Sequence, residues 1–426
     1  MQNESYTSYA GYGGALVYII LSMLLVYLQV SGRLGTVSNG FVFSVSALAF
    51  SGMLLSEYLQ KTHFNKQHNI HLSLHPLSAS NVYILRSTFF RFLALFLPFL
   101  LAWFIIQHHT YFTGNNDFEP TRQLFDYFMW IFLLAAPLYI FLTLRFRGDR
   151  KYEFNDYALL TLIGARSVWQ QLRGNRQQKL YRNRRVKKVF LVYLVNFFWL
   201  TLMARFLVGE FHGFSDSFRT ILTGESAQQP WFEQVRNWYF SVFHLLFIVD
   251  VGIAVIGYTF ASRWLGNRTK SVDMTPLGWF VALACYPPFN DFISDNFVYY
   301  NGLDTHNIIT SHWAITVILG LLILLYSVYV WATVALGFKF SNLTNRGIIS
   351  SGPYRYVRHP AYAAKNIAWL IDFTYVYTNI WATLAFFTWN GLYVLRALTE
   401  EWHLSKDSAY VNYMKRVRYR FIPRIL

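Results

Sequence analysis

Ten blocks of apolar residues, most of them near the ~20 residues that a helix needs to cross a bilayer, recur along the chain between polar connections. They cover roughly 14–31, 40–56, 88–106, 125–144, 189–208, 238–260, 275–290, 313–336, 361–377 and 379–397. This spacing predicts an all-α, polytopic membrane helical bundle of about ten transmembrane segments. Block 275–290 is short and ends in Pro287-Pro288, so it reads as broken or half-spanning. The last two blocks form a tight helical hairpin around Tyr377-Thr378-Asn379, followed by a polar tail. No fixed-period repeat is visible, and no glycine-rich phosphate loop follows a strand, which excludes a soluble nucleotide-binding domain. Two regions are expected: an N-terminal membrane bundle over 1–270 and a C-terminal membrane domain over 271–426.

Composition agrees. Apolar residues make up 54% of the chain and charged residues 14%, against about 25% charged in soluble domains. Aromatic residues reach 20%, as suits membrane interfaces. The net charge of +16 would suit nucleic acid, but its distribution follows the positive-inside rule instead. With both termini cytoplasmic, the outer connections carry only Arg33, Arg122, Arg219 and Arg236. Lys61, Lys66, Arg86, the connection 145–188, Lys339, Arg346, Arg355, Arg358 and the tail all fall inside. No nucleic-acid partner is therefore expected. In 145–188, the stretch Tyr157–Leu172 interleaves apolar and polar residues like a helix lying in the interface. It reads either as a surface for anionic lipid headgroups or as an ordinary basic loop. The single cysteine, Cys285, excludes an internal disulfide and a cysteine metal cage. The first apolar block lacks a preceding basic region, which argues against a cleaved signal peptide. Low cysteine content and the lack of eukaryotic targeting signals point to a bacterial inner membrane.

Several polar residues invite chemistry. His63, His68, His71 and His75 have helical spacing, but His75 precedes Pro76 and no carboxylate accompanies them. A solvated loop is expected there, and no metal site. Asp250 and His244 lie in the sixth block, where a charge must face the bundle interior or water. Asp250 either lines a cavity or pairs with Arg205, and the pairing is favoured.

The densest cluster is Gly352-Pro353-Tyr354-Arg355-Tyr356-Val357-Arg358-His359-Pro360-Ala361-Tyr362. Gly352-Pro353 predicts a turn, and Pro360 suits the first turn of a new helix. Arg358 and His359 then stand at a helix start, which attracts carboxylates and phosphates. The returning hairpin ends in Arg396, Glu400 and Glu401, which must arrive at the same membrane face.

These motifs resemble those of isoprenylcysteine carboxyl methyltransferases and related membrane methyltransferases. The likeness rests on the Gly352–Tyr362 loop, on Leu336-Gly337 with Phe340-Ser341, on Arg396 with Glu400-Glu401 and Leu404, and on the tail from Tyr410 through Tyr413 to Pro423. It covers about 326–426. It implies S-adenosylmethionine as cofactor and a lipid-borne or prenylated acceptor. Tyr354, Arg358, His359, Pro360 and Tyr362 would shape the cofactor pocket, Glu400 and Glu401 would meet the cofactor's polar groups, and Arg396 would orient the acceptor. The chain departs from the pattern at Ala364-Lys365, where glycine is usual two residues after the loop tyrosine, and at Lys406-Asp407, where Phe-Gly is usual. Two other readings remain. Sterol reductases share the segment count and a similar Val417–Pro423 stretch, and would use NADPH. A non-catalytic transporter or scaffold would suit Asp250 and the broken block 275–290.

Overall fold

The computed structural model of the chain describes residues 8–64, 80–147, 157–173, 184–262, 265–291, 295–296 and 308–425. His68, His71 and His75, the side chain of His63, and stretches 148–156 and 174–183 of the basic connection lie outside the described residues. Each apolar block becomes a helix because hydrocarbon offers no partner for a free backbone N–H or C=O.

Thirteen helices are described: α1 (Ala10–Val30), α2 (Asn39–Phe64), α3 (Asn81–His108), α4 (Thr110–Thr113), α5 (Glu119–Arg147), α6 (Tyr157–Leu172), α7 (Arg184–Leu222), α8 (Trp231–Thr259), α9 (Pro276–Leu283), α10 (His312–Leu336), α11 (Pro360–Asp372), α12 (Ile380–Leu404) and α13 (Ser408–Arg416). Among the described residues the only strands are a two-residue antiparallel pair. In it β1 (Ser271–Val272) sets Ser271 opposite Asn345 and Val272 opposite Thr344 of β2 (Thr344–Asn345).

Seven helices, α1, α2, α3, α5, α7, α8 and α10, are long and apolar enough to cross a membrane. The chain is an integral, multi-pass membrane protein. The other three of the ten expected blocks differ for physical reasons. Block 275–290 contains only the eight-residue α9. Block 361–377 is the thirteen-residue α11 followed by a 3-10 turn, Thr374–Thr378. Its rise of about 20 Å falls short of a ~30 Å hydrocarbon core. Helix α12 has 25 residues but carries Asn390 and Arg396 inside its apolar run.

The main core lies among α1, α2, α7, α8 and α10, with Tyr18, Met53, Trp199, Ile253 and Val334 buried together. Helices α3 and α5 sit at the edge, leaving Leu97, Leu101, Leu134 and Leu138 exposed. In a bilayer such a surface meets lipid rather than water.

Asp250 does not pair with Arg205. It is buried on α8 and accepts hydrogen bonds from the Tyr329 hydroxyl at 2.9 Å and from the Thr333 hydroxyl, both on α10. Arg205 instead reaches Asp117 at 2.6 Å. Asp250 lies nine residues before the end of α8, where hydroxyls of the facing helix, not Arg205, meet its carboxylate. His244 Nδ1 stands 2.8 Å from Glu210 on α7.

The region after α10 is fastened to elements well before residue 271. The buried Arg346 guanidinium donates to the Gly257 carbonyl and to Asn196 Oδ1 at 3.3 Å. Asn267 Nδ2 donates to the Phe338 carbonyl at 3.0 Å.

Candidate functional site

The polar loop is built by two turn devices. Gly352 has φ +60°, a left-handed conformation natural to glycine. It opens a 3-10 turn, Gly352–Arg355. Pro360 then occupies the first turn of α11, where its missing N–H costs nothing. Across the hairpin turn, Asn379 caps α12 by accepting from the Trp381 and Ala382 N–H groups at 2.8 and 3.3 Å. Helix α12 therefore runs back beside α11 and delivers its last two turns to the start of α11.

Glu401 is the meeting point. His359 Nε2 and Arg358 Nε stand 3.1 and 3.0 Å from its Oε1, and Arg420 Nε donates to its Oε2 at 3.1 Å. The Arg358 contact is an ion pair without a hydrogen-bond alignment. Burial works to raise the Glu401 carboxyl, yet the hydrogen bond and charge of His359, with Arg358 and Arg420, hold it below the usual carboxylate range.

The tail completes this arrangement. Backbone N–H groups of Arg358 and His359 donate to the carbonyls of Tyr419 and Arg420 at 3.0 and 2.8 Å. The Tyr413 hydroxyl donates to the Tyr354 carbonyl at 2.7 Å. The Tyr354 ring packs with Ile348, Tyr410, Tyr413 and Val417.

Beside this ion cluster lies a narrow cavity of about 20 Å³, room for roughly one water. Asp273, Asn342, Tyr362, Arg396, Glu400 and His403 line it. The Tyr362 hydroxyl donates to Glu400 Oε2 at 2.9 Å. Arg396 is buried, donates to Asn342 Oδ1, and lies 5.2 and 5.3 Å from the ring centroids of Tyr286 and Tyr362. His403 Nε2 is 3.1 Å from Ser271 Oγ, and burial pushes its imidazole below the ordinary histidine value.

The predicted residues thus divide into groups. Tyr362, Arg396 and Glu400 line the cavity; Arg358, His359 and Glu401 form the adjoining ion cluster. Pro360 starts α11, and Tyr354 lies against the tail rather than the cavity. Sequence reasoning missed Asp273, Asn342, His403 and the ionic role of Arg420. Asn342 directly follows the Phe340-Ser341 motif and was within reach. Asp273 was not, because only the two-residue β1–β2 pairing brings it to the site.

The two departures from the resemblance have local explanations. Ala364 is buried with a small side chain. Asp407 caps α13 by accepting from the Ala409 N–H at 3.0 Å and accepts from Asn345 Nδ2 at 2.9 Å. Among the described residues no group of three His, Cys, Asp or Glu side chains is placed to hold a metal ion.

Residues 314–406 match the sequence model of the Isoprenylcysteine carboxyl methyltransferase (ICMT) family. The matched stretch runs from α10 to just past α12. It contains every predicted site residue and stops before the tail that carries Tyr413 and Arg420. It supports a membrane methyltransferase of that type. Comparison with curated proteins and with solved structures finds no match.

Proposed function

We propose that this chain transfers a methyl group from S-adenosylmethionine to a lipid-borne or prenylated acceptor, at a carboxylate or a headgroup, on the cytoplasmic membrane face. One observation carries the reading. The family-matched stretch contains a helical hairpin whose two ends close on each other, through Tyr362 with Glu400 and His359 with Glu401.

The side chains suit the cofactor. S-adenosylmethionine, when bound, supplies a methyl group on a sulfonium cation and carries an ammonium and a carboxylate of its own. Glu400 and Asp273 offer negative charge to the cations, and the Tyr362 face suits them as well. Glu401 holds the loop and tail in register through Arg358, His359 and Arg420. Arg396, set deeper on α12, orients the acceptor. A carboxylate acceptor is already ionised, so alignment and exclusion of water are the enzyme's tasks. Such a transfer does not require a nucleophile–base pair.

Both termini face the cytoplasm, by the distribution of basic residues. The connection 145–188 meets anionic headgroups through α6, where Arg166 and Trp169 are exposed and the Arg173 guanidinium lies 4.7 Å from the Trp169 ring centroid.

Calorimetric titration of the detergent-purified protein with S-adenosylhomocysteine, and separately with NADPH, tests the reading. Saturable binding of S-adenosylhomocysteine alone is expected, weakened about tenfold in Glu400→Gln, as fits loss of one charge-assisted contact. Binding of NADPH alone would move the chain to reductase chemistry.

A further inference from the structure

The cavity leaves one half-buried feature of the hairpin unused. Lys365, one turn beyond Tyr362 on α11, points to the junction of α10, α11 and α12. Its Nζ lies 4.8 Å from the ring centroid of Trp369, 5.3 Å from that of Tyr329 and 5.8 Å from that of Tyr393. Among the described residues it makes no ion pair and no hydrogen bond. Aromatic faces attract an ammonium through their quadrupole. They offer no lone pair to its three N–H donors.

The same wall of rings carries a second cation. Tyr393 meets Tyr362 edge-on at 6.4 Å, and Arg396 lies over Tyr362. Arg396 also lacks an ion pair among the described residues; its hydrogen-bond partners there include the neutral Asn342 and Cys285. The carboxylates of Asp250 and Glu400 accept from hydroxyls instead. Asp250 takes those of Tyr329 and Thr333, and Glu400 takes that of Tyr362. Lys365 feels the charge of Asp250 at a distance, but neither cation has a carboxylate in contact, so their N–H donors are available to the oxygen atoms of an anion.

We propose that Lys365 is a specificity-determining residue of the acceptor site. Its ammonium, beside Arg396, receives the oxygen atoms of a negatively charged lipid head, so the site admits anionic lipids and excludes amine-headed ones. Calling this lipid the acceptor rests on the methyltransferase reading; the anion site itself rests on the cage geometry. Of the acceptors left open above, it selects the acids. The same chemistry serves a carboxylate and a phosphate, and the test separates them.

A pyrene-labelled fatty acid is bound to the full-length protein in neutral detergent and displaced with oleate, oleyl phosphate or oleylamine. Displacement by oleate identifies a carboxylate site and displacement by oleyl phosphate a phosphate site; either supports the proposal, while oleylamine should be at least tenfold weaker. Lys365→Gln should weaken the preferred anion about tenfold, and Lys365→Arg should retain it. S-adenosylhomocysteine affinity in both variants reports whether the hairpin is intact. No probe binding, equal displacement by oleylamine, or unchanged anion affinity in Lys365→Gln would overturn the proposal. A wild-type protein that prefers oleate yet ignores S-adenosylhomocysteine would defeat the methyltransferase reading and leave the role of Lys365 standing.

Discussion

Glu401 and Lys365 are opposite solutions to one problem, a charge removed from water. Glu401 collects two guanidinium groups and an imidazole, of which Arg420 is half exposed. Lys365 is surrounded by rings. A lysine within a membrane helix costs about 2.5–3.5 kcal/mol, and each cation–π contact returns about 0.5–2 kcal/mol, so three rings roughly offset the cost. Removing one partner of a buried ion cluster costs about 3–5 kcal/mol. Because Arg420 keeps its water, Glu401→Gln should lie near the lower end, about 3 kcal/mol, seen as a lower melting temperature in detergent. The sign of the pH effect follows from the lowered Glu401 carboxyl. A depressed carboxyl adds stability that is fully present above its unfolded pKa of about 4.3. That stability is lost as pH falls through the lower folded value. The melting-temperature gap between the wild type and Glu401→Gln should be constant from pH 5 to 7 and shrink below about pH 4. A gap that persists there would show that Glu401 acts through shape and not charge.

At the scale of elements, the site depends on a tail held by few bonds. Two backbone hydrogen bonds tie Tyr419 and Arg420 to the loop, and Tyr413 anchors α13 beneath them. Tyr413→Phe keeps the buried ring but leaves the Tyr354 carbonyl without that donor, at a cost of about 1 kcal/mol. Amide exchange at Arg358 and His359 should quicken about fivefold while the α8 core stays protected, and equal acceleration in both would show global rather than tail-specific loosening. The helices that position this hairpin were legible in the sequence, because a long apolar run in lipid has one good conformation. The turn at Gly352 and the helix start at Pro360 were legible too, since their backbones constrain φ locally. The meeting of His359 with Glu401 followed from the hairpin's return. Asp273 was not legible, because a two-residue strand pair leaves no periodicity to read. Nor was the partner of Asp250, since a buried carboxylate can be satisfied by hydroxyls as well as by arginine. The shortness of α11 was hidden because the 3-10 turn Thr374–Thr378 continues its apolar composition.

Across the whole molecule, the N-terminal bundle reaches the site through α1. A Cβ added at Gly11 would lie 1.8 Å from the Val334 carbonyl oxygen on α10, a backbone atom that has no rotamer to escape into. One residue on, the Tyr12 hydroxyl accepts from Trp331 Nε1 at 2.9 Å, and a Cβ at Gly352 would meet both groups. Displacing α1 therefore disturbs the wall behind the Gly352 turn. Gly11→Ala should cost about 1–3 kcal/mol through overpacking and should also weaken S-adenosylhomocysteine binding. Gly320 lies on α10 with open space where its Cβ would go. Gly320→Ala should be neutral or stabilising by up to about 1 kcal/mol, with binding unchanged, which makes it the matched control. Melting temperature and calorimetric affinity measured on both variants separate the two effects. If Gly11→Ala loses stability while keeping full affinity, the bundle is scaffolding alone. If both fall together, the contact between α1 and α10 is part of what holds the site in shape, and the region beyond the family-matched stretch is coupled to its chemistry.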